Sequence, residues 1–288
     1  MLNRQGHSAC YKTIAKLLRD EKYSLQANCK RDEGAKAHPD RDAQFMYIAR
    51  KIAQFQAQEQ PIISVDTKKK ENVGNYKNPG REYRKQGQPR EVKAYDFVGK
   101  LGKVAPYGIY DVTLNTGWVS MGISHDTAEF AVNSIRTWWQ QMGCRDYPRS
   151  RKLLITADCG GSNGYRVRLW KWELQRFANE MRLPIHVSHY PPGTSKWNKI
   201  EHRMFSAISA NWRGQPLKDY ETILEFIRHA GTEEGLEIQA HLDPATYVTG
   251  RKISDAAMKS LNIYHYAFHG EWNYKISPQP WSEAEYKL

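Results

Sequence analysis

Read at helical spacing, the stretch SKWNKIEHRMF (195–205) and its continuation place Trp197, Ile200, Met204, Phe205, Ile208 and Trp212 on one side. Lys196, Lys199 and Arg203 fall on the other side, yet Glu201 falls inside the apolar cluster. The same periodicity predicts helices over 8–20, 42–57 and 219–230. It also predicts one through Phe130, Ser134, Ile135, Trp138 and Met142, and one through Val167, Trp170, Leu174, Phe177, Ala178 and Met181 that Pro184 ends. Short β-branched or alternating runs predict strands at 62–65 (IISV), 107–113, 117–123, 153–157 (LLITA) and 185–190. Asn115-Thr116-Gly117 suits a tight turn between the second and third strands. Asp126 and Glu129 have the spacing of a capping box, and Asn163, Thr194 and Ser195 read as helix N-caps. The stretch 28–42 reads as a polar loop, and the long polar segment after Asp66 as turns and short hairpins.

Three strands in succession, followed by alternating helices and strands, predict an α/β protein: a mixed sheet flanked by helices, with a small helical N-terminal segment. The expected divisions are 1–58 for that segment, 59–232 for the sheet domain with a basic insertion at about 67–106, and 233–288 for an extension packing on it. The extension contains the aromatic run FHGEWNY, in which no chemical motif is recognisable.

Charge sharpens this picture. The net charge is +12, and residues 1–100 carry 21 Lys and Arg against 12 Asp and Glu. So basic a chain favours a polyanionic partner, nucleic acid first. Cys10, Cys29, Cys144 and Cys159 form no CxxC pair and no disulfide framework, which fits a reducing compartment. No signal-like or membrane-spanning run occurs, so a cytoplasmic, nucleoid-associated location is expected.

Two strands end in aspartate, IISVD66 and LLITAD158, and Glu201 sits on an apolar helix face. A buried carboxylate must be paired, neutralised or bound to a cation. Three hard oxygen donors on a β/α scaffold suit Mg²⁺ or Mn²⁺. Carboxylates so placed can hold two ions about 3.5–4 Å apart for phosphodiester cleavage. Two other readings stand beside this one: Asp66 and Asp158 capping turns, and Glu201 pairing with Arg166 or Arg168. His125, His189 and His202 are candidate general bases, each with a structural alternative. CGGSNG matches neither phosphate-cradling glycine motif. A glycosidase carboxylate pair would leave the basic segment unexplained.

Longer stretches carry a resemblance. VDTKKKENVGN, PYGIYDV, GWVSMGISHDTAEFAVNSIRTWW, ITADCGGSNGYRVRLWK, HYPPGTSKWNKIEHRMFSAISANWRG and FHGEWNY resemble bacterial insertion-sequence DDE transposases of the Rhodopirellula-type group. The similarity runs from about SLQANCKRDEG to the end, and PPGTSKWNKIE is similar to a signature of mariner-like relatives. The resemblance implies an RNase H-like fold and makes Asp66, Asp158 and Glu201 the metal-binding catalytic triad, served by Mg²⁺ or Mn²⁺, in two copies. It implies metal-dependent cleavage at transposon ends and transfer of the 3′-OH into target DNA, with no protein nucleophile. The Asp158-to-Glu201 interval of 43 positions is longer than in many integrase-like enzymes. Lys68, Lys69, Lys70, Arg81 and Arg84 are then expected on DNA phosphates, and a homo-oligomer on DNA. Such transposases usually carry more sequence ahead of this point, including a helix-turn-helix, so 1–58 is expected to be the remnant of a DNA-binding module, with a surface helix pair as the alternative, and the chain a fragment or one part of a split reading frame. An RNase H-like nuclease such as a resolvase, or a non-catalytic DNA-binding remnant, are the alternatives.

Overall fold

The computed structural model describes residues 10–24, 38–95 and 97–280. It forms two units, Met1–Lys36 and Ala37–Leu288. In the first, helix α1 (Tyr11–Asp20) buries none of its residues, and Leu17 and Leu18 are exposed. Most of the loop expected over 28–42 lies outside the described residues.

In the second unit, α2 (Arg41–Gln56) precedes a nine-stranded sheet. Its strands are β1 (Ile62–Thr67), β2 (Glu71–Asn72), β3 (Lys103–Asp111), β4 (Thr116–Gly122), β5 (Leu153–Ala157), β6 (Ile185–His189), β7 (Glu237–Asp243), β8 (Ile263–His265) and β9 (Asn273–Ile276). The order is β7-β4-β3-β1-β5-β6-β9-β8, with β2 paired to β3. β3 runs antiparallel to both of its neighbours, β1 and β4, whereas β5 and β6 run parallel to β1. That five-strand centre is an RNase H-like arrangement. β7 extends one edge in parallel with β4, and β9 with β8 extends the other. Residues after 232 therefore supply strands at both edges of the sheet.

The alternation along each strand assigns its two faces. On one face, Ile63, Val65, Tyr107, Ile109, Leu153, Ile155 and Val187 pack against α3 (Ala128–Trp138) and α5 (Arg168–Met181). α3 continues through a π turn (Trp139–Gly143) into α4 (Cys144–Asp146). On the other face, Ile62 and Leu154 meet Ile48, Ile52 and Phe55 of α2. There too, Val104, Tyr110, Val119 and Met121 meet Ile200, Met204, Phe205 and Ile208 and the following α7 (Tyr220–Arg228). The central strands are apolar on both faces because helices cover both.

Several local expectations shift. The β3–β4 turn spans Val112–Asn115, with Asn115 at φ 56°, and Thr116 and Gly117 already belong to β4. The N-cap of α3 is Thr127, whose side chain accepts from the Phe130 amide, not Asp126. α5 is stopped one turn before Pro184, by Arg182 in the left-handed region at φ 52°. Its N-cap is Val167, not Asn163. The helix expected from Ser195 begins as a 3₁₀ turn (Ser195–Trp197), becomes helical at Lys199, passes a π turn (Glu201–Phe205) and ends as α6 (Ser206–Asn211). Trp197 lies ahead of it and is 50% exposed, so it does not join the buried face.

Candidate active site

Val65 pairs with Ala157 across the parallel β1–β5 ladder, so the next residues, Asp66 and Asp158, leave neighbouring strands at the same end. Neighbouring strands lie about 4.8 Å apart. Both carboxylates are partly buried, and both are oriented locally. Asp66 Oδ1 accepts from the Thr67 amide at 2.7 Å, and Asp158 Oδ1 from Asn163 Nδ2 at 2.9 Å. Asn163 therefore serves Asp158 instead of capping α5.

Glu201 is brought to this end by a clamp. Asn198, fully buried, receives the Ser64 hydroxyl on its Oδ1 and donates Nδ2 to the Val65 carbonyl at 3.0 Å. Ser64 Oγ in turn accepts from the Ile200 amide at 3.1 Å. The start of the helix is thus tied to the strand that carries Asp66. Close approach of helix and sheet is permitted by Gly108, which pairs with Asp66: a Cβ there would sit 2.5 Å from Phe205 Cε1 and 2.6 Å from Met204 Cε. Asn198, Ser64 and Gly108 were not singled out from the sequence, and only the NKIE spacing in the quoted motif pointed near them.

The electrostatics follow from this crowding. Burial and the neighbouring Asp158 push the Asp66 carboxyl up to about 8. Burial also raises Asp158, against the bonds from Asn163 and the Gly160 amide. Glu201 is raised by burial, with Lys68 and His202 opposing. Neither Arg166, which lies over Tyr165, nor Arg168, bound to Asp255 at 2.6 Å, pairs with Glu201. Asp126, released from capping, accepts from Thr67 Oγ1 at 3.2 Å and adds to the negative field on Asp66. Two buried oxygens in this neighbourhood, Tyr107 Oη and Asn163 Oδ1, have no partner among the described residues. A cluster of hard, partly desolvated oxygen donors that repel one another fits a divalent cation held by Asp66, Asp158 and Glu201. As a set their donor atoms are spread more widely than 4.8 Å.

A model of the Rhodopirellula transposase DDE domain matches residues 1–278. The chain belongs to that family. No curated protein matches this transposase domain. Among solved structures it is similar to the Mos1 transposase paired-end complex with left transposon end, at 13% identity and a TM-score of 0.45, over 75% of this chain and 61% of that one. It is also similar to the Mos1 mariner paired end complex with Mn, at 13% identity and a TM-score of 0.41, over 75% and 61% of the two chains. The transposase domain thus spans about 61% of the length of these chains.

The three histidines are otherwise engaged in the transposase domain. His189 is fully buried, bonded through Nδ1 to the Asp158 carbonyl at 2.8 Å and through Nε2 to Tyr274 Oη at 3.1 Å, and burial lowers it to about 4. His125 Nδ1 lies 3.1 Å from the Tyr247 carbonyl, and His202 Nε2 contacts the Lys196 carbonyl. The basic residues divide. Lys68 is held between Glu71 at 3.4 Å and the Trp212 ring at 4.7 Å, within the field of Glu201. Lys69 and Lys70 are exposed and join Lys77 and Lys103 around a cavity of about 380 Å³. Arg81 is exposed, whereas Arg84 is paired with Glu82 at 3.6 Å and bonded to the Gln88 carbonyl at 3.2 Å. Lys77 and Lys103 were missed because they join Lys69 and Lys70 only when β2 pairs with β3.

Among the described residues, no helix is long and apolar enough to cross a membrane.

Proposed function

We propose that this chain is the catalytic part of a transposase that cuts DNA at transposon ends and joins the freed 3′-OH to target DNA. What supports this reading is that Asp66 and Asp158 close adjacent parallel strands at the same end of the sheet, while Glu201, on a helix clamped to β1, adds its charge to the field on Asp66. A divalent cation held there, Mg²⁺ or Mn²⁺ and in two copies, would supply Lewis-acid activation of the attacking oxygen and stabilisation of the leaving one. The chain's own groups orient the carboxylates (Thr67, Asn163), deliver Glu201 (Asn198, Ser64) and gather phosphates. Lys69, Lys70, Lys77, Lys103 and Arg81 offer free cations for backbone contacts that position DNA without reading its sequence. Lys68 and Arg84 join them if DNA displaces their acidic partners. Water attacks phosphorus and the P–O3′ bond breaks, leaving a 3′-OH. That hydroxyl then attacks a target phosphodiester, so no serine or tyrosine nucleophile is required. Residues 1–58 are proposed to continue a DNA-binding module, and handling two ends implies two or more copies on DNA.

The test is a nicking and strand-transfer assay on DNA carrying the element's ends, with Mg²⁺ or Mn²⁺, comparing the parent with Asp158→Ala. Metal-dependent joining that falls at least about 100-fold in the variant is expected. Nicking without joining would assign a nuclease, and DNA binding without cleavage in the parent a non-catalytic remnant.

A further inference from the structure

The FHGEWNY run, which the carboxylate site does not use, builds a second cluster with the residues ahead of α2. His269 Nε2 lies 3.0 Å from Asp40 Oδ2, and its Nδ1 lies 2.9 Å from Glu271 Oε1. The His38 ring stands 5.2 Å from that of His269. Donor atoms of His38, Asp40 and His269 all fall within 4.8 Å of one another, the only such set of three among the described residues. All three residues are partly buried.

The arrangement has features that a chance surface ion pair lacks. Asp40 occupies the N-cap position of α2, yet its side chain makes no capping bond and turns to His269 instead. Trp272 stacks on His269 at 4.3 Å and meets His38 edge-on at 4.8 Å, so both rings are held by one buried indole. One turn further along α2, buried Gln44 and Asn273 exchange two amide bonds of 3.0 and 2.8 Å. That pair locks the 269–273 loop against the helix. The side chains are therefore presented on a rigid frame, as ligand sets require.

We propose that His38, Asp40 and His269 form a binding site for one Zn²⁺-like divalent transition-metal ion. Two imidazoles and one carboxylate are the donors such a borderline ion takes, and they differ from the all-oxygen set at Asp66, Asp158 and Glu201. Bonds of about 2.0–2.1 Å put tetrahedral donors about 3.3 Å apart, so side-chain rotation is enough to close the set. Glu271 completes the design: it lies on the ring nitrogen of His269 opposite Asp40, where a carboxylate orients a ligand histidine. The ion would staple the entry of α2 to the loop before β9, joining the two ends of this unit.

The test uses the full chain carrying Asp158→Ala, stripped with chelator and titrated with Zn²⁺, Co²⁺ or Mg²⁺. One Zn²⁺ should bind per chain and raise the melting temperature, Mg²⁺ should not, and Co²⁺ should give visible d–d absorption. Adding His38→Ala should weaken Zn²⁺ binding about tenfold or more and abolish the Co²⁺ spectrum. That variant keeps the His269 contacts to Asp40 and Glu271 but loses the Asp40 amide's bond to His38 Nδ1 at 3.2 Å and the contact with Trp272, so Zn²⁺ stabilisation is read as the shift above the variant's own apo melting temperature. His269→Gln should also lose binding. Absence of stoichiometric Zn²⁺ binding, or binding unchanged by His38→Ala and His269→Gln, overturns the proposal. Because Asp158 is already removed, neither result depends on the transposase chemistry.

Discussion

Asn198 divides its amide between Ser64 and the Val65 carbonyl at a position without solvent. Truncating it takes the acceptor from the Ser64 hydroxyl and a donor from the Val65 carbonyl where no water replaces them, at about 1–3 kcal/mol each. Asn198→Ala should therefore cost about 2–4 kcal/mol in urea unfolding. Its turnover should fall while DNA affinity holds, because the variant loosens Glu201 and leaves the exposed lysines untouched. Equal turnover in parent and variant would show that Glu201 does not need the clamp. His186 offers a test by pH. Burial first, then Lys51, Lys152 and Lys275, depress it to about 3, so it is neutral in the folded chain. The unfolded ring takes up a proton near 6.5, and the stability His186 contributes is lost as pH falls from there toward 3. Raised carboxylates such as Asp66 act in the opposite sense, so the comparison is with a variant. Relative to the parent, the penalty of His186→Phe should shrink below pH 6.5 by up to about 1.4 kcal/mol per pH unit. A penalty that stays constant from pH 7.5 to 4.5 would mean the ring already titrates normally.

Helix and strand meet most closely at Gly108, where Phe205 and Met204 occupy the space a side chain would need. Larger residues there must push the Glu201 helix off β3. Overpacking of this kind costs about 1–3 kcal/mol. Gly108→Val should lower the melting temperature accordingly, with a larger proportional loss of cleavage, since displacement is directed at Glu201. Should cleavage survive at the parental rate, the helix is free to shift without moving its carboxylate. The π turn at Glu201–Phe205 belongs to the same device. It follows the 3₁₀ turn that Asn198 ends, and simple 3.6-residue spacing misplaced Trp197 because the helix starts later than the apolar pattern does.

Across the full sheet, the strands nearest the C-terminus lie at opposite edges: β7 against β4, and β9 against β6. Trp272 and Tyr274 are buried, and Tyr274 Oη bonds Trp170 Nε1 at 2.9 Å and His189 Nε2 at 3.1 Å. Ending the chain after residue 232 would strip both edges and open the cores beneath them. The shortened protein should be recovered aggregated or without cooperative unfolding, since exposed edges of buried sheets pair with other chains. A soluble product with a sharp melt would show that residues 233–288 are an accessory layer.

Local pattern carried much of this architecture. Apolar β-branched runs announced the five central strands, and a carboxylate closing two of them marked Asp66 and Asp158, because strand period and strand ends are properties of a few neighbouring residues. Glu201 was visible as a charge on an apolar face for the same reason. Pairings between distant segments left no periodic trace. His269 meets Asp40 across 229 positions, and Asn198 meets Val65 across 133. Those contacts depend on which strands adjoin and in what register, and that is settled by burying both faces of the sheet at once, after the chain has folded back on itself.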